Sequence, residues 1–433
     1  IKAGIGGIMV AHLNIPALDS SRVPSTLSKS IITDLLRKEL GFTGLVVTDA
    51  MNMAGVTASN PPGIVVKDAI LAGNDMLELT EDVPRAIAEI RKAVKGGKIT
   101  QDEIDNRCRK LLAIKYWAGL AHEKLVNVAN MVDDLNAPSA KLLNRDLFEA
   151  AITVLKNDNS ILPVRVLDRG RVASVSFGRT QITPFQKTLS LYTQVDHFIV
   201  PRDTNQHYVD SIRVRLKDYQ EVIVGIHDDP GRPYNRVTFS RPVMSFITEL
   251  ARRENLIVAV FKNPYVLDKL NSIEEADALI MTYQDNNDVE DLTAQLIFGG
   301  TSATGRLPVS IGTKFSSGDG IEVKGGIRFK YTIPEDAGMN SKFLLRSVDS
   351  IVNQALSVKA IPGCQVFVAK DKKVVLYKSY GYHNYSDTIK VKPTDLYDLA
   401  SVTKISTALP SLMKLYDEGV FKLDATLGDY LPK

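Results

Sequence analysis

The stretch Gly44-Leu45-Val46-Val47-Thr48-Asp49-Ala50-Met51-Asn52-Met53 sets the reading of the amino-terminal third of the chain. Its apolar residues are consecutive instead of alternating, which suits a strand covered on both faces in a parallel sheet, and the run ends on a carboxylate. The flanks repeat the theme. Residues 7–12 read as a strand, 28–40 as a helix with Ile31, Ile32, Leu35 and Leu36 on one face, 65–72 as a helix and 75–79 as a third strand. Helices are expected over 83–96 and 104–119, so the order is β-α-β-α-β-α, the pattern of a parallel α/β layer. Three strands cannot close a barrel. The choice lies between a small open sheet and the last units of a (β/α)8 barrel.

Residues 121–144 are polar and helix-prone without a strong apolar face, as in a connection between domains. Beyond them apolar strands recur at 172–177, 222–226, 256–261 and 278–283, with crossover helices expected over 246–253 and 266–276. A third segment reads as a helix over 342–358, a hairpin of 364–369 and 373–379 around Lys370-Asp371-Lys372, and a helix starting at Ser401. The fold class is α/β for the first two segments and α+β for the third. The expected divisions are 1–120, a helical linker 121–144, 145–331 and 332–433.

A length of 433 residues suggests about three domains on the usual scale of roughly 150 residues each. Apolar residues make up 44% and charged residues 24%, which fits a folded chain and leaves little room for extensive disorder. The net charge is only +3 and the cations are scattered among acids, so nucleic acid is not an expected partner. No apolar run approaches the ~20 residues of a membrane span. Cys108 and Cys364 are too far apart in sequence to suggest a disulfide framework or a metal site, and no cofactor is expected. Oligomeric state is not readable.

A carboxylate can capture the oxocarbenium-like transition state of acetal hydrolysis as a glycosyl ester, and Asp49 ends a strand on what would be the ligand face of a parallel sheet. By itself, an Asp after a strand is also a common helix cap. The segments Pro24-Ser25-Thr26-Leu27-Ser28 and Leu36-Arg37-Lys38-Glu39-Leu40-Gly41-Phe42-Thr43-Gly44 through Met53 closely resemble glycoside hydrolase family 3, and Ala72-Gly73-Asn74-Asp75-Met76 resembles that family's last barrel strand. This resemblance implies that the first 120 residues are the end of a (β/α)8 barrel. Thr48-Asp49-Ala50-Met51-Asn52-Met53 resembles the β-N-acetylglucosaminidase subgroup, which implies Asp49 as nucleophile and Asn52 and Met53 as substrate contacts. His12, also at a strand end, stays open between a sugar contact and a structural histidine.

The subgroup places its acid/base His–Asp pair, and a Lys-His pair that binds sugar, on early barrel loops that are not among these residues. The chain reads as an interior segment, expected to be inactive as a glycosidase by itself, because a retaining mechanism needs both roles. Residues 151–163 and Gly305-Arg306-Leu307-Pro308-Val309 resemble the entry and exit of the family's α/β sandwich. Asp228-Asp229 and Asp285 follow strands there and could be acids reaching over to the barrel, but acids in such positions are usually caps or solvated loop residues.

Ser401-Val402-Thr403-Lys404 places a hydroxyl and an amine three residues apart, on one face of a helix. Such a tetrad arises roughly once or twice by chance in a chain this long. Its surroundings, Pro362-Gly363, Gly381-Tyr382, Thr394 to Asp398 and Leu412 to Pro432, resemble serine β-lactamases and penicillin-binding-protein-like esterases. The resemblance implies Ser401 as nucleophile and Lys404 as its partner. The family's Tyr-x-Asn and Lys-Thr-Gly-like elements are not among these residues, so no acyl-enzyme turnover is expected. Together the two resemblances imply carbohydrate or peptidoglycan fragments as partners and the cell envelope or periplasm of a Bacteroides-type bacterium as the setting. The alternatives are a β-glucosidase or β-xylosidase, a serine hydrolase as the principal activity, and a noncatalytic sugar-binding protein.

Overall fold

The computed structural model describes residues 1–57, 64–122, 128–168, 170–227, 239–386 and 388–431. The chain divides into two compact units, Ile1–Ala129 and Asn130–Lys433. The division falls inside the segment that the sequence marks as a connection.

In the first unit, strands β1 (Gly7–Val10), β2 (Leu45–Ala50) and β3 (Met76–Glu78) form a parallel sheet in that order. Helices Ser30–Glu39, Ile64–Ala72, Val83–Lys95 and Gln101–Trp117 follow or separate them, as expected from the apolar spacing. The first of these is wider than an α-helix, with i→i−5 bonds such as Leu40 N to Leu35 O at 2.8 Å. Ile32, Phe42, Val46 and Ala72 are buried together, so this helix seals one face of β2. Met51, Val56, Val65, Val66, Ala69 and Ala86 form a second cluster.

The ends of the strands opposite Asp49 are locked by Asp75. Its carboxylate is 5% exposed, pairs with Arg37 at 2.6 Å and Lys110 at 3.2 Å, and accepts from the Val46 amide at 2.9 Å. A buried charge persists only when partnered in this way. Asp75 thereby ties two helices to β2.

The second unit is built on a six-stranded sheet. Its strands are β4 (Thr153–Asn157), β5 (Val172–Phe177), β6 (Val195–Val200), β7 (Glu221–His227), β8 (Leu256–Phe261) and β9 (Ala278–Met281). Their spatial order is β4-β9-β8-β7-β5-β6, with only β4 antiparallel. Helices Gln206–Leu216 and Arg241–Leu250 contribute to one buried cluster, and Pro184–Leu189 and Asn287–Ile297 to the other. β5 and β8 occur where the sequence predicts them. The crossover helix expected over 266–276 does not form: two short 3-10 turns, Pro264–Lys269 and Ile273–Glu275, replace it, with Ser272 at φ 61 between them. A residue turned into the left-handed region cannot continue a right-handed helix.

The helix Pro138–Ala151 leads into β4 across the expected division at 144/145. After the six-stranded sheet come β10 (Lys330–Tyr331), the helix Ser341–Ser357 and an antiparallel hairpin of β11 (Gly363–Lys370) and β12 (Lys373–Gly381), ordered β10-β12-β11. Among the described residues, no helix is long and apolar enough to cross a membrane.

Candidate functional site

Asp49 lies where β2 departs from regular pairing. Val47 pairs with Met76 and Ala50 with Glu78, so Thr48 and Asp49 together face a single residue of β3. An extra residue of this kind re-aims the side chains at the end of a strand. The irregularity is supported locally, because the buried Thr48 hydroxyl accepts from the Glu78 amide at 3.0 Å and Met51 N donates to Glu78 O at 2.9 Å. Asp49 is half-buried, and its Oδ1 accepts from the Ala50 amide at 2.8 Å. Among the described residues no donor reaches its second oxygen.

His12 follows β1 and fixes the residue after Asp49. Its Nε2 donates to Ala50 O at 2.9 Å, while Nδ1 contacts Thr26 Oγ1 at 2.7 Å. The carbonyl cannot donate, so Nε2 carries a proton. Ser25 Oγ and Thr26 Oγ1 both donate to Ala11 O, so these two buried hydroxyls fasten the Pro24–Ser28 stretch to the end of β1. Both ring nitrogens of His12 are thus engaged by the chain itself. Asn52 and Met53 lie in the exposed turn after β2, with Met53 O accepting from Val56 N at 3.1 Å. The fold brings Asp49 and His12 to one sheet end and leaves Asn52 and Met53 on the turn beside it.

In the second unit Lys404 Nζ donates to Ser401 Oγ at 2.9 Å. A short 3-10 turn, Ala400–Val402, opens the segment, and Ala400 has φ 42 immediately before the serine. Ser401, Lys404 and the helix Leu409–Asp417 are exposed along their whole length. The contact therefore depends on three-residue spacing and not on packing.

Sequence reasoning missed a buried cluster at the carboxyl ends of the parallel strands. Arg179, two residues past β5, meets Asp285 Oδ1 at 2.6 Å and Glu290 Oε1 at 3.8 Å. His227, the last residue of β7, stacks on Phe261 with centroids 4.5 Å apart and approaches Asp285 at 3.3 Å through Nδ1. Burial holds His227 below its ordinary pKa and so neutral. Burial raises Glu290 to about 7, reinforced by Asp285 and opposed by the Phe185 amide and Arg179. Burial also pushes Asp285 upward, but His227 and Arg179 outweigh it and leave the carboxyl below its usual value. Asp228-Asp229 lie outside the described residues.

His227, Asp285 and Glu290 offer ligand atoms within 4.8 Å of one another. The Arg179 guanidinium already supplies the positive charge that a metal would bring, so the donor set reads as a compensated ion cluster and not as a cation cradle. The signal for it was positional: Arg179, His227 and Asp285 all stand at or just past strand ends.

An α/β layer with a re-aimed strand-end carboxylate, followed by a second α/β layer and a hairpin domain, defines a multidomain class that comparison makes specific. Residues 1–114 match the glycosyl hydrolase family 3 N terminal domain and residues 348–433 match the beta-lactamase family. The two ends of the chain thus match two different families. It is 30% identical over 173 residues to the beta-N-acetylglucosaminidase/beta-glucosidase of Cellulomonas fimi, covering 38% of this chain and 31% of that protein. It is 34% identical over 185 residues to beta-hexosaminidase A of Pseudoalteromonas piscicida, covering 38% and 30%. The chain thus spans about a third of the length of these curated relatives. A solved family 3 beta-N-acetylglucosaminidase from Paenibacillus sp. str. FPU-7 superposes with a TM-score of 0.58 at 24% identity, covering 72% of this chain and 59% of that one, which establishes the shared fold.

Proposed function

We propose that this chain carries the nucleophile of a retaining glycoside hydrolase that removes β-linked N-acetylglucosamine from peptidoglycan fragments in a bacterial envelope. The observation carrying this reading is the carboxylate of Asp49, aimed by the strand irregularity, with one oxygen held by an amide and the other without a donor among the described residues. Such an oxygen attacks the anomeric carbon as the leaving group departs, giving a glycosyl–Asp ester that water then hydrolyses. His12 serves this site by fixing Ala50. Asn52 and Met53 contact the sugar from the adjoining turn. No metal or organic cofactor enters the mechanism.

Specificity can be tested with a pair of 5-fluoro glycosyl fluorides, one N-acetylglucosaminyl and one glucosyl. Fluoride leaves without general-acid help, so only the nucleophile and the sugar contacts are interrogated. Mass spectrometry should show the N-acetyl reagent adding at least about tenfold faster, which is ~1.4 kcal/mol of discrimination. Equal rates for the two sugars would rule out N-acetylglucosamine preference and favour a β-glucosidase.

A second activity rests on the 2.9 Å Lys404–Ser401 contact. In its unprotonated form Lys404 can take the hydroxyl proton as Ser401 attacks an acyl carbon. A fluorophosphonate probe should label Ser401 slowly, and Lys404→Met should slow it further. Unchanged labelling in that variant excludes the lysine as base.

A further inference from the structure

Residues 329–332 are bonded along both edges. Because successive residues of an extended strand direct their backbone groups to opposite sides, odd and even positions serve different partners. On the odd side, Phe329 O accepts from Tyr192 Oη at 2.7 Å, Tyr331 N donates to Gln295 Oε1 at 2.8 Å, and Tyr331 O accepts from Gln295 Nε2 at 2.8 Å and Arg145 Nη2 at 3.3 Å. On the even side, Lys330 N donates to Lys372 O at 3.0 Å and Thr332 N to Val374 O at 2.9 Å. The six-stranded layer holds one edge through side chains, and the hairpin holds the other through its backbone.

Side-chain charges follow the same route. Arg145 and Glu149, one turn apart on the helix Pro138–Ala151, face β10 together. Arg145 is 7% exposed and bridges Asp288 at 2.7 Å and Asp291 at 2.5 Å. Glu149 pairs with Lys330 at 2.7 Å, Lys330 with Asp336 at 3.1 Å, and Asp336 with Lys373 of β12 at 2.6 Å. An unbroken series of contacts runs from that helix through β10 into the hairpin.

We propose that β10 is a splint that makes the β11–β12 hairpin part of the six-stranded layer's cooperative unit, with Arg145 and Gln295 as its anchors. The hairpin opens to solvent only when these side chains release Tyr331. The β-lactamase-family segment is therefore carried by the layer before it and is not tethered as a free module. This inference concerns packing alone and stands whether or not either nucleophile reacts.

Native-state hydrogen exchange on the full chain tests it, using Arg145→Met and, because that change strands Asp288 and Asp291, the milder Gln295→Met. The expected result is at least tenfold faster exchange of amides in residues 363–381 in Gln295→Met, while β5, β7 and β8 keep their protection. Faster exchange at Tyr331 with unchanged hairpin rates overturns the proposal. So does a wild-type hairpin that exchanges far faster than Tyr331 itself. If Arg145→Met does not fold, Gln295→Met decides.

Discussion

Asp49 and Ser401 are both candidate nucleophiles, but they are held in opposite ways. Asp49 owes its position to residues distant in sequence: the register shift against β3, the His12 bridge to Ala50, and the Asp75 lock at the other end of the strands. Ser401 meets Lys404 because they are three residues apart on an exposed helical segment. A site built on long-range contacts is as stable as its frame, whereas a local pair survives or fails on its own. Mutations far from either nucleophile should therefore affect only the first.

The largest difference is expected from Asp75→Ala. It leaves Arg37 and Lys110 facing a vacated buried site, and loss of one partner of a buried ion pair costs on the order of 3–5 kcal/mol. Thermal unfolding should show the first unit melting far earlier, with fluorophosphonate labelling of Ser401 unchanged. Loss of that labelling would show that Ser401 also depends on the frame of the first unit.

Next in size is a pH effect within the second unit. Glu290, raised to about 7 by burial, is favoured in its neutral form when folded, so its contribution is complete below the ordinary carboxylate range and is lost as pH rises through about 7. His227 has the opposite dependence: its folded pKa is lowered by burial, so its contribution is present above its unfolded value and falls as the solution is acidified below it. Glu290→Gln should keep a neutral group in place and flatten the alkaline limb by about 3 °C in Tm between pH 6 and 8. An unaltered alkaline slope would mean that Glu290 does not titrate there.

His12→Ala removes one hydrogen bond to the end of β2 and one to Thr26, a loss of about 1–2 kcal/mol in the first unit. It should slow glycosylation at Asp49 because Ala50 is no longer pinned. The smallest effect belongs to Lys404→Met, which should alter stability by less than about 0.5 kcal/mol because the residue is exposed. A larger change would show that the serine segment depends on tertiary contacts after all.

The strand bearing Asp49 was legible because its apolar run is continuous and its end carries the motif; β8 was legible because it too is apolar from Leu256 to Phe261. β6 was not, because Asp196 and His197 interrupt the apolar pattern and bond to Tyr219 and Ser174. The false helix over 266–276 arose from apolar spacing that conceals the left-handed Ser272. His227 and Glu290 approach within 3.8 Å despite a separation in sequence that no local pattern spans. The register shift at Asp49 was equally invisible, since it depends on which residues of β3 lie opposite.

In the proposed mechanism Asp49 forms the glycosyl ester. The most direct test is peptide mapping after incubation with 5-fluoro N-acetylglucosaminyl fluoride, beside Asp49→Ala. One sugar adduct is expected, mapped to Asp49 and absent from the variant. An adduct on another carboxylate, or equal labelling of Asp49→Ala, would contradict it.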